Sequence, residues 1–307
     1  MGFAGRYNSF SRHLKAVFGC SVYKIPVDAG FTCPNRDGTL GTGGCIFCDK
    51  LGSGADSLDR TLSLAGQIRK GKESVRKRFN AEKFLVYFQA FTNTYAPLQR
   101  LASLYEEALG VEGVVGLAIG TRADCLPEDV VEYLAGLSRK TYLWVEVGLQ
   151  SSKESTLAGI HRGHDLECFR RAAGRLVSRG LQVCAHVIFG LPGETRRDML
   201  NTVQTVRELG IRGIKFHPLH VLKGSGLEER YLRNGLKVLD AETYVSLVAD
   251  SIERLPPDVV IHRLTANRPP DILVAPAWVA EKTRVLRLLD AELQRRNTVQ
   301  GAKCAQF

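Results

Sequence analysis

Between residues 21 and 219 a short apolar run is followed, again and again, by a stretch with helical periodicity, and this alternation limits the fold more than any other feature of the chain. The runs are 21–27, 84–88, 114–119, 142–149, 183–189 and 213–219. The helical stretches between them are 58–79, 97–109, 127–137, 166–178 and 197–209. In the first of these Leu62, Leu64, Ala65, Ile68 and Val75 fall on one side, opposed by Arg69, Lys70, Lys72, Arg76, Lys77 and Arg78. Strand-helix-strand crossovers are what parallel neighbours require, so six repeats predict an α/β chain with a parallel sheet. The strands are almost continuously apolar, as in a sheet covered on at least one face. A further helix precedes them, with Phe10, Leu14, Val17 and Phe18 on its apolar side and Gly19 to end it.

Parallel α/β sheets gather ligands at the carboxyl ends of their strands. In strand order those ends carry a cysteine loop, then Gln89 with Thr92 to Tyr95, Thr121 to Asp124, Gln150 to Ser152, Gly190 to Glu194, and His217 to Lys223. Six polar or glycine-rich ends in register predict one site at one mouth of a barrel.

The cysteine loop runs from Cys33 to Cys48. Cys45 and Cys48 form a CxxC pair, and the eleven residues after Cys33 are flexible enough to bring its thiol to the same point. A closed zinc site wants four protein ligands, and the chain has no second CxxC. Cys20, Cys125, Cys168, Cys184 and Cys304 are scattered singly, with only Cys20 near the loop. Three thiolates would leave one corner of an iron-sulfur cubane open to an exogenous ligand such as S-adenosylmethionine (SAM). From the loop alone, a cluster and a zinc site completed by a distant residue both stand.

Composition narrows the setting. Hydrophobic residues make up 44% and charged residues 24% of 307, as in ordinary globular proteins, and a core of good size can be buried. No apolar run approaches the roughly 20 residues that span a bilayer, and residues 1–15 lack a signal-peptide pattern. Eight cysteines without an evident pairing framework fit a reducing, cytoplasmic setting with no membrane. A net charge of +10 favours polyanionic partners, although the basic side of residues 58–79 also fits a solvated helix face.

These features together resemble the radical SAM superfamily, in its elongator-catalytic-subunit-like branch and the YhcC/YtqA-type family. The resemblance rests on the long gap between the first two cysteines, FQAFTNTYAP after the second strand, GLQS after the fourth, GLPGET after the fifth and HPLHVLKGS after the sixth. It covers roughly residues 5 to 290. It implies a partial TIM-like (β/α)6 radical SAM barrel over 21–226, with a helical extension at 1–20 and a C-terminal extension at 227–307 packing on the barrel.

The resemblance also implies a chemistry. Cys33, Cys45 and Cys48 would hold three irons of a [4Fe-4S] cluster, and SAM would bind the fourth. An external electron donor would reduce the cluster, and cleavage of SAM would yield a 5'-deoxyadenosyl radical. Gln150 and Arg162, twelve apart, would contact the SAM ribose and carboxylate, Ile188 and Gly190 would lie beside the adenine, and Leu219 would offer its backbone. The usual Gly-Gly-Glu after the second strand is absent; Gln89 to Tyr95 takes its place, with Asn93 and Tyr95 as substitutes for the contact to the SAM amino group. His186 stands where related enzymes carry an acidic ribose contact.

Glu146, inside an apolar strand, reads as a ligand or as an ion-pair partner of a neighbour such as Arg122. His217 and His220 read as hydrogen-bonded site walls rather than metal ligands, and His161, Arg162 and His164 form a basic knot on a loop. After 226 the chain is helical with one closing strand at 259–262, a proline-bearing loop at 264–270 and an amphipathic helix at 279–295; the last dozen residues read as frayed. For the substrate the resemblance points to tRNA and the wobble-uridine side chain, with no KH or OB signature to bind it. The alternatives are a radical SAM oxidase of a small molecule and a non-catalytic zinc- or cluster-stabilised RNA-binding protein.

Overall fold

Ser9 starts the first element: its Oγ accepts the Arg12 amide, and the chain is helical over Phe10–Phe18 (α1) until Gly19 turns it at φ 72°. A computed structural model describes residues 5–50, 52, 58–233 and 235–304. Next come β1 (Val22–Val27), α2 (Leu64–Phe79), β2 (Lys83–Phe88), α3 (Leu98–Leu109), β3 (Val114–Thr121), α4 (Glu128–Ser138) and β4 (Tyr142–Gln150). They are followed by α5 (Glu154–Gly159), α6 (Leu166–Ser178), β5 (Gln182–Phe189), α7 (Arg196–Glu208) and β6 (Gly213–Pro218). The C-terminal part holds β7 (Val221–Leu222), α8 (Gly226–Leu232), α9 (Ala241–Arg254), β8 (Val260–Arg263), β9 (Leu273–Ala275) and α10 (Lys282–Arg295).

The main sheet has the order β1-β2-β3-β4-β5-β6-β8, and every neighbouring pair is parallel. Chain order equals spatial order, so each crossover advances by one strand. The expected barrel of six strands is therefore one of seven, because the closing strand of the C-terminal segment pairs with β6 instead of lying over the sheet. β7 and β9 form a small antiparallel pair of their own, which two- and three-residue strands leave no periodicity to reveal.

Alternation along the strands sorts side chains to two faces. On the outer face Phe84, Val86, Leu117, Ile119, Val145, Val147, Val183, Val187, Ile214 and Phe216 pack under the helices in one large core. On the inner face Leu85, Ala118, Trp144 and Cys184 form a smaller cluster closed by Phe10 and Leu14 of α1. The N-terminal helix thus plugs one end of the curled sheet, with the Phe10 ring 6.0 Å from Trp144 and 4.0 Å from His262. A Cβ on Gly213 would stand 2.6 Å from the Trp144 ring, so glycine there gives the indole its room.

Four expectations need correcting. The second helix begins at Leu64, not 58, because the Ser63 side chain caps it. Lys72 is buried, not solvated, and gives its ammonium to the Glu112 carbonyl; Val17 is exposed. Residues 296–304 are held in place, not frayed: Gln300 donates to the Val259 carbonyl at 2.8 Å, its own amide donates to the Arg6 carbonyl, and Lys303 pairs with Glu253 at 2.6 Å. The final three residues lie outside the described residues. Among the described residues no helix is long and apolar enough to cross a membrane.

Candidate active site

The inner face changes character from the plugged end to the open one. Two residues beyond Trp144 on β4 lies Glu146, then Gly148, then Gln150; β5 offers Cys184, His186 and Ile188, and β6 offers Gly213, Lys215 and His217. An apolar layer therefore gives way to a charged layer and then to the wall of a cavity of about 560 Å³.

Glu146, fully buried, accepts Lys24 Nζ at 2.6 Å and the Lys215 ammonium, and lies 3.0 Å from His186 Nε2 and 3.4 Å from His262 Nδ1. Burial raises its pKa, but Lys215 and Lys24 outweigh that and hold the carboxyl well below the ordinary range. The expected pair with Arg122 does not form. Arg122 grips Asp124 through two nitrogens at 2.9 and 2.7 Å instead, since the two stand together just after β3. Burial, with Lys215 adding to it, pushes His186 down to about 4, and burial and Arg263 hold His217 neutral, well below its usual value.

The cysteine loop is a sequence of tight turns. The Cys33 carbonyl accepts the Arg36 and Asp37 amides, the Asn35 carbonyl accepts Gly44, and the Cys45 carbonyl accepts Cys48. Asn35 is buried and anchors the loop to the turn after the short helix that follows β4, giving Nδ2 to the His161 carbonyl at 2.6 Å; Ile46 N donates to the Ile160 carbonyl. By this folding Cys33, Cys45 and Cys48 all reach the cavity. Hydrogen bonding with Cys48, and the Arg162 and Arg122 guanidiniums against the cost of burial, hold the Cys45 thiol well below the ordinary cysteine range. Cys20 precedes β1 while the loop follows it, so the length of that strand, about 20 Å, separates them.

Arg162 enters the site from the turn after α5. Its Nη2 donates to the Gly148 carbonyl at 2.8 Å, Nη1 lies 3.7 Å from Cys45 Sγ, and Nε is buried without a partner among the described residues. Gly148 makes this entry possible, because a Cβ there would stand 2.8 Å from Arg162 Nη2 and 2.6 Å from Gln150 Nε2. Gln150 has φ 71° at the irregular end of the β4–β5 ladder.

Eleven further expectations meet the structure unevenly. Gln89, Arg122, Glu146, Gln150, Arg162, Ile188, His217 and Leu219 line the cavity with the three cysteines. Asn93, Tyr95 and Gly190 do not. Asn93 is fully buried and uses its amide to join the Phe88 and Gly120 carbonyls. Tyr95 turns its hydroxyl to Thr39 at 2.9 Å and braces the cysteine loop from outside. Gly190 gives its amide to Met199 Sδ and packs toward Leu239. The sequence left unmarked Arg36, Phe91, Arg263, Arg268 and Lys282, all of which line the cavity. Arg263 ends β8 and was within reach of the strand-end argument; Lys282 starts a helix distant in sequence and carried no signal.

The profile of the radical SAM superfamily matches residues 36–206, and that of the radical SAM C-terminal domain matches 211–295. Protein YtqA of Bacillus subtilis is 43% identical over 96% of this chain and 92% of its own length. The tRNA uridine(34) acetyltransferase of Methanocaldococcus infernus is 27% identical over 52% of this chain and 30% of its own. Among solved structures, Elp3 of M. infernus lacking residues 1–46 superposes with a TM-score of 0.70 at 18% identity, covering 91% of this chain and 64% of that one. The chain thus spans under two thirds of that structure, and the likeness is one of fold.

Proposed function

The chain belongs to the radical SAM superfamily, whose enzymes use a [4Fe-4S] cluster and SAM, and on that premise we propose that it modifies the wobble uridine of tRNA. The residues present fit both groups. Three thiols of one loop open on one cavity, and buried guanidinium nitrogens of Arg122 and Arg162 without partners among the described residues stand beside them. Among the described residues no three His, Cys, Asp or Glu form a group able to hold a single metal ion. A cluster does not require one, since each thiolate meets its own iron.

Cys33, Cys45 and Cys48 would hold the cluster. When bound, the reduced cluster supplies the electron that cleaves SAM to a 5'-deoxyadenosyl radical able to take hydrogen from a substrate. The electron comes from an external donor. Arg162 and Gln150 orient SAM, the first through its unpaired nitrogen and the second through the side chain that the φ 71° turn aims inward. Ile188 and the Leu219 backbone wall the adenine, while His186, neutral and fixed by Glu146, offers a hydrogen bond without adding charge. Gln89 faces the same space.

The similarity of half the chain to a tRNA uridine(34) acetyltransferase carries the substrate reading. The +10 charge and the exposed Arg69, Lys70, Arg76, Lys77 and Arg78 support it. The test is anaerobic incubation of iron-loaded protein with dithionite, SAM and tRNA from a strain lacking the gene, followed by mass spectrometry of the nucleosides. A changed wobble-uridine mass together with 5'-deoxyadenosine is expected. Deoxyadenosine with unchanged tRNA would move the substrate to the small molecules.

A further inference from the structure

The charges on the cavity wall do not cancel. Among the described residues six cations line it, Arg36, Arg122, Arg162, Arg263, Arg268 and Lys282, against the single carboxylate of Glu146. That carboxylate is already engaged by Lys24 and Lys215, neither of which is among the six. Arg122 is matched by Asp124, Arg36 donates to the Asp49 carbonyl, and Arg162 lies against Cys45.

The others come from the C-terminal segment. Arg263 ends β8 and Lys282 begins α10, and neither side chain has a hydrogen-bond or ion-pair partner among the described residues. Arg268, on the loop after β8, donates Nε to His220 Nε2 at 3.3 Å and lines the same wall. His217 lines the same wall, its buried Nε2 without a partner among the described residues. Cations set in a concave, low-dielectric wall focus their field on whatever enters, and guanidinium groups bind carboxylate and phosphate oxygens in fixed geometry. The carboxylate of SAM is provided for by Arg162 on the cysteine side, which leaves Arg263 and Lys282 for something else.

We infer that Arg263, Lys282 and Arg268, with His217, form a subsite for an anionic group of the substrate, a carboxylate or a phosphate. The inference rests on the reading of the cavity as a SAM-dependent active site. It extends that reading by assigning the C-terminal segment a direct part in substrate selection: β8 and α10 each bring to the cavity a cation whose side chain no described carboxylate engages.

Calorimetric titration of the iron-loaded protein, saturated with SAM, tests it with two probes added separately, inorganic phosphate and succinate. At least one should bind at a single site, and the Arg263→Gln/Lys282→Gln variant should bind it at least ten-fold more weakly with iron content and SAM affinity unchanged. Preference for phosphate identifies a nucleotide or backbone phosphate as the source; preference for succinate identifies a carboxylate on the substrate. Should the double variant not fold, Lys282→Gln alone, at an exposed helix start, should lower the affinity at least three-fold. Failure of both probes to bind, an affinity indifferent to the variants, or a SAM affinity that falls alongside would overturn the subsite. A wild-type protein that holds four irons yet binds no SAM would instead overturn the assignment of the cavity as the SAM site.

Discussion

Lys24 Nζ lies 2.6 Å from Glu146 Oε1 although β1 and β4 are separated by two strands. Three strand spacings in a flat sheet would put their backbones about 14 Å apart. The contact exists because the sheet curls, and His262 of the opposite edge strand reaches the same oxygen at 3.4 Å. A carboxylate on the middle strand thus joins both edges of the half-barrel, directly beneath the cavity.

Glu146→Gln should therefore act on stability. The variant leaves Lys24 and Lys215 facing a neutral amide inside the barrel, and breaking a buried pair on one side costs about 3 kcal/mol or more. Urea unfolding should show a lower midpoint with little change in slope. A midpoint equal to wild type together with weakened SAM binding would make Glu146 a ligand rather than a brace.

Acid should weaken the fold through its buried histidines, while Glu194, pushed up to about 7 mainly by burial, takes up its proton early in the folded chain and offsets part of the loss. His186 and His220 are pushed down to about 4 chiefly by burial, and His164 likewise by burial and Arg162. Below the unfolded value of about 6.5 the unfolded chain takes up protons that the folded one refuses, so this stability is complete above about pH 6.5 and drains away as pH falls toward 4. Unfolding of the cluster-free protein between pH 7 and 4.5 should show this slope, and His220→Asn should reduce the proton uptake by about one. A flat profile would mean that these rings are hydrated.

Cys45→Ala and Cys48→Ala should abolish iron and sulfide uptake on anaerobic reconstitution, and Cys33→Ala should do the same. Cys20→Ala and Cys304→Ala should leave about four irons per chain. Cys304 turns its sulfur to the Arg254 carbonyl in the C-terminal tail and has no path to the cavity. One zinc per chain, lost in Cys20→Ala, would return the loop to a structural role.

Neutralising Arg69, Lys70, Arg76 and Arg78 should reduce the salt dependence of tRNA binding, by about one unit of slope for each phosphate contact removed. Lys72 does not belong in that set, since its side chain is buried against the Glu112 carbonyl. Filter binding across a salt series reads the slope; an unchanged slope would place the RNA contacts elsewhere.

Much of the fold was legible because its determinants are local. Six strands and the helices between them follow from apolar runs and helical spacing, and a parallel crossover has few ways to close, so the mouth that gathers Gln89, Arg122, Gln150 and His217 could be named from strand ends alone. The cysteine loop announced itself by spacing. Asn93 and Tyr95 were misplaced because a polar residue after a strand looks alike whether it faces the cavity or holds two carbonyls behind it.

What the tertiary structure alone decided depends on curl. How far a sheet of parallel strands closes is set by the sum of small twists and by what plugs its inner face, here Phe10 and Leu14, and neither is written in any single segment. That closure decided that Glu146 meets Lys24 and His262, that β8 joins the sheet, and that Arg263 and Lys282 share a cavity with cysteines more than two hundred residues earlier in the chain. Sequence by itself determined the strands, the loop and the family; the partners of the buried charges were settled only when distant segments came within reach of one another.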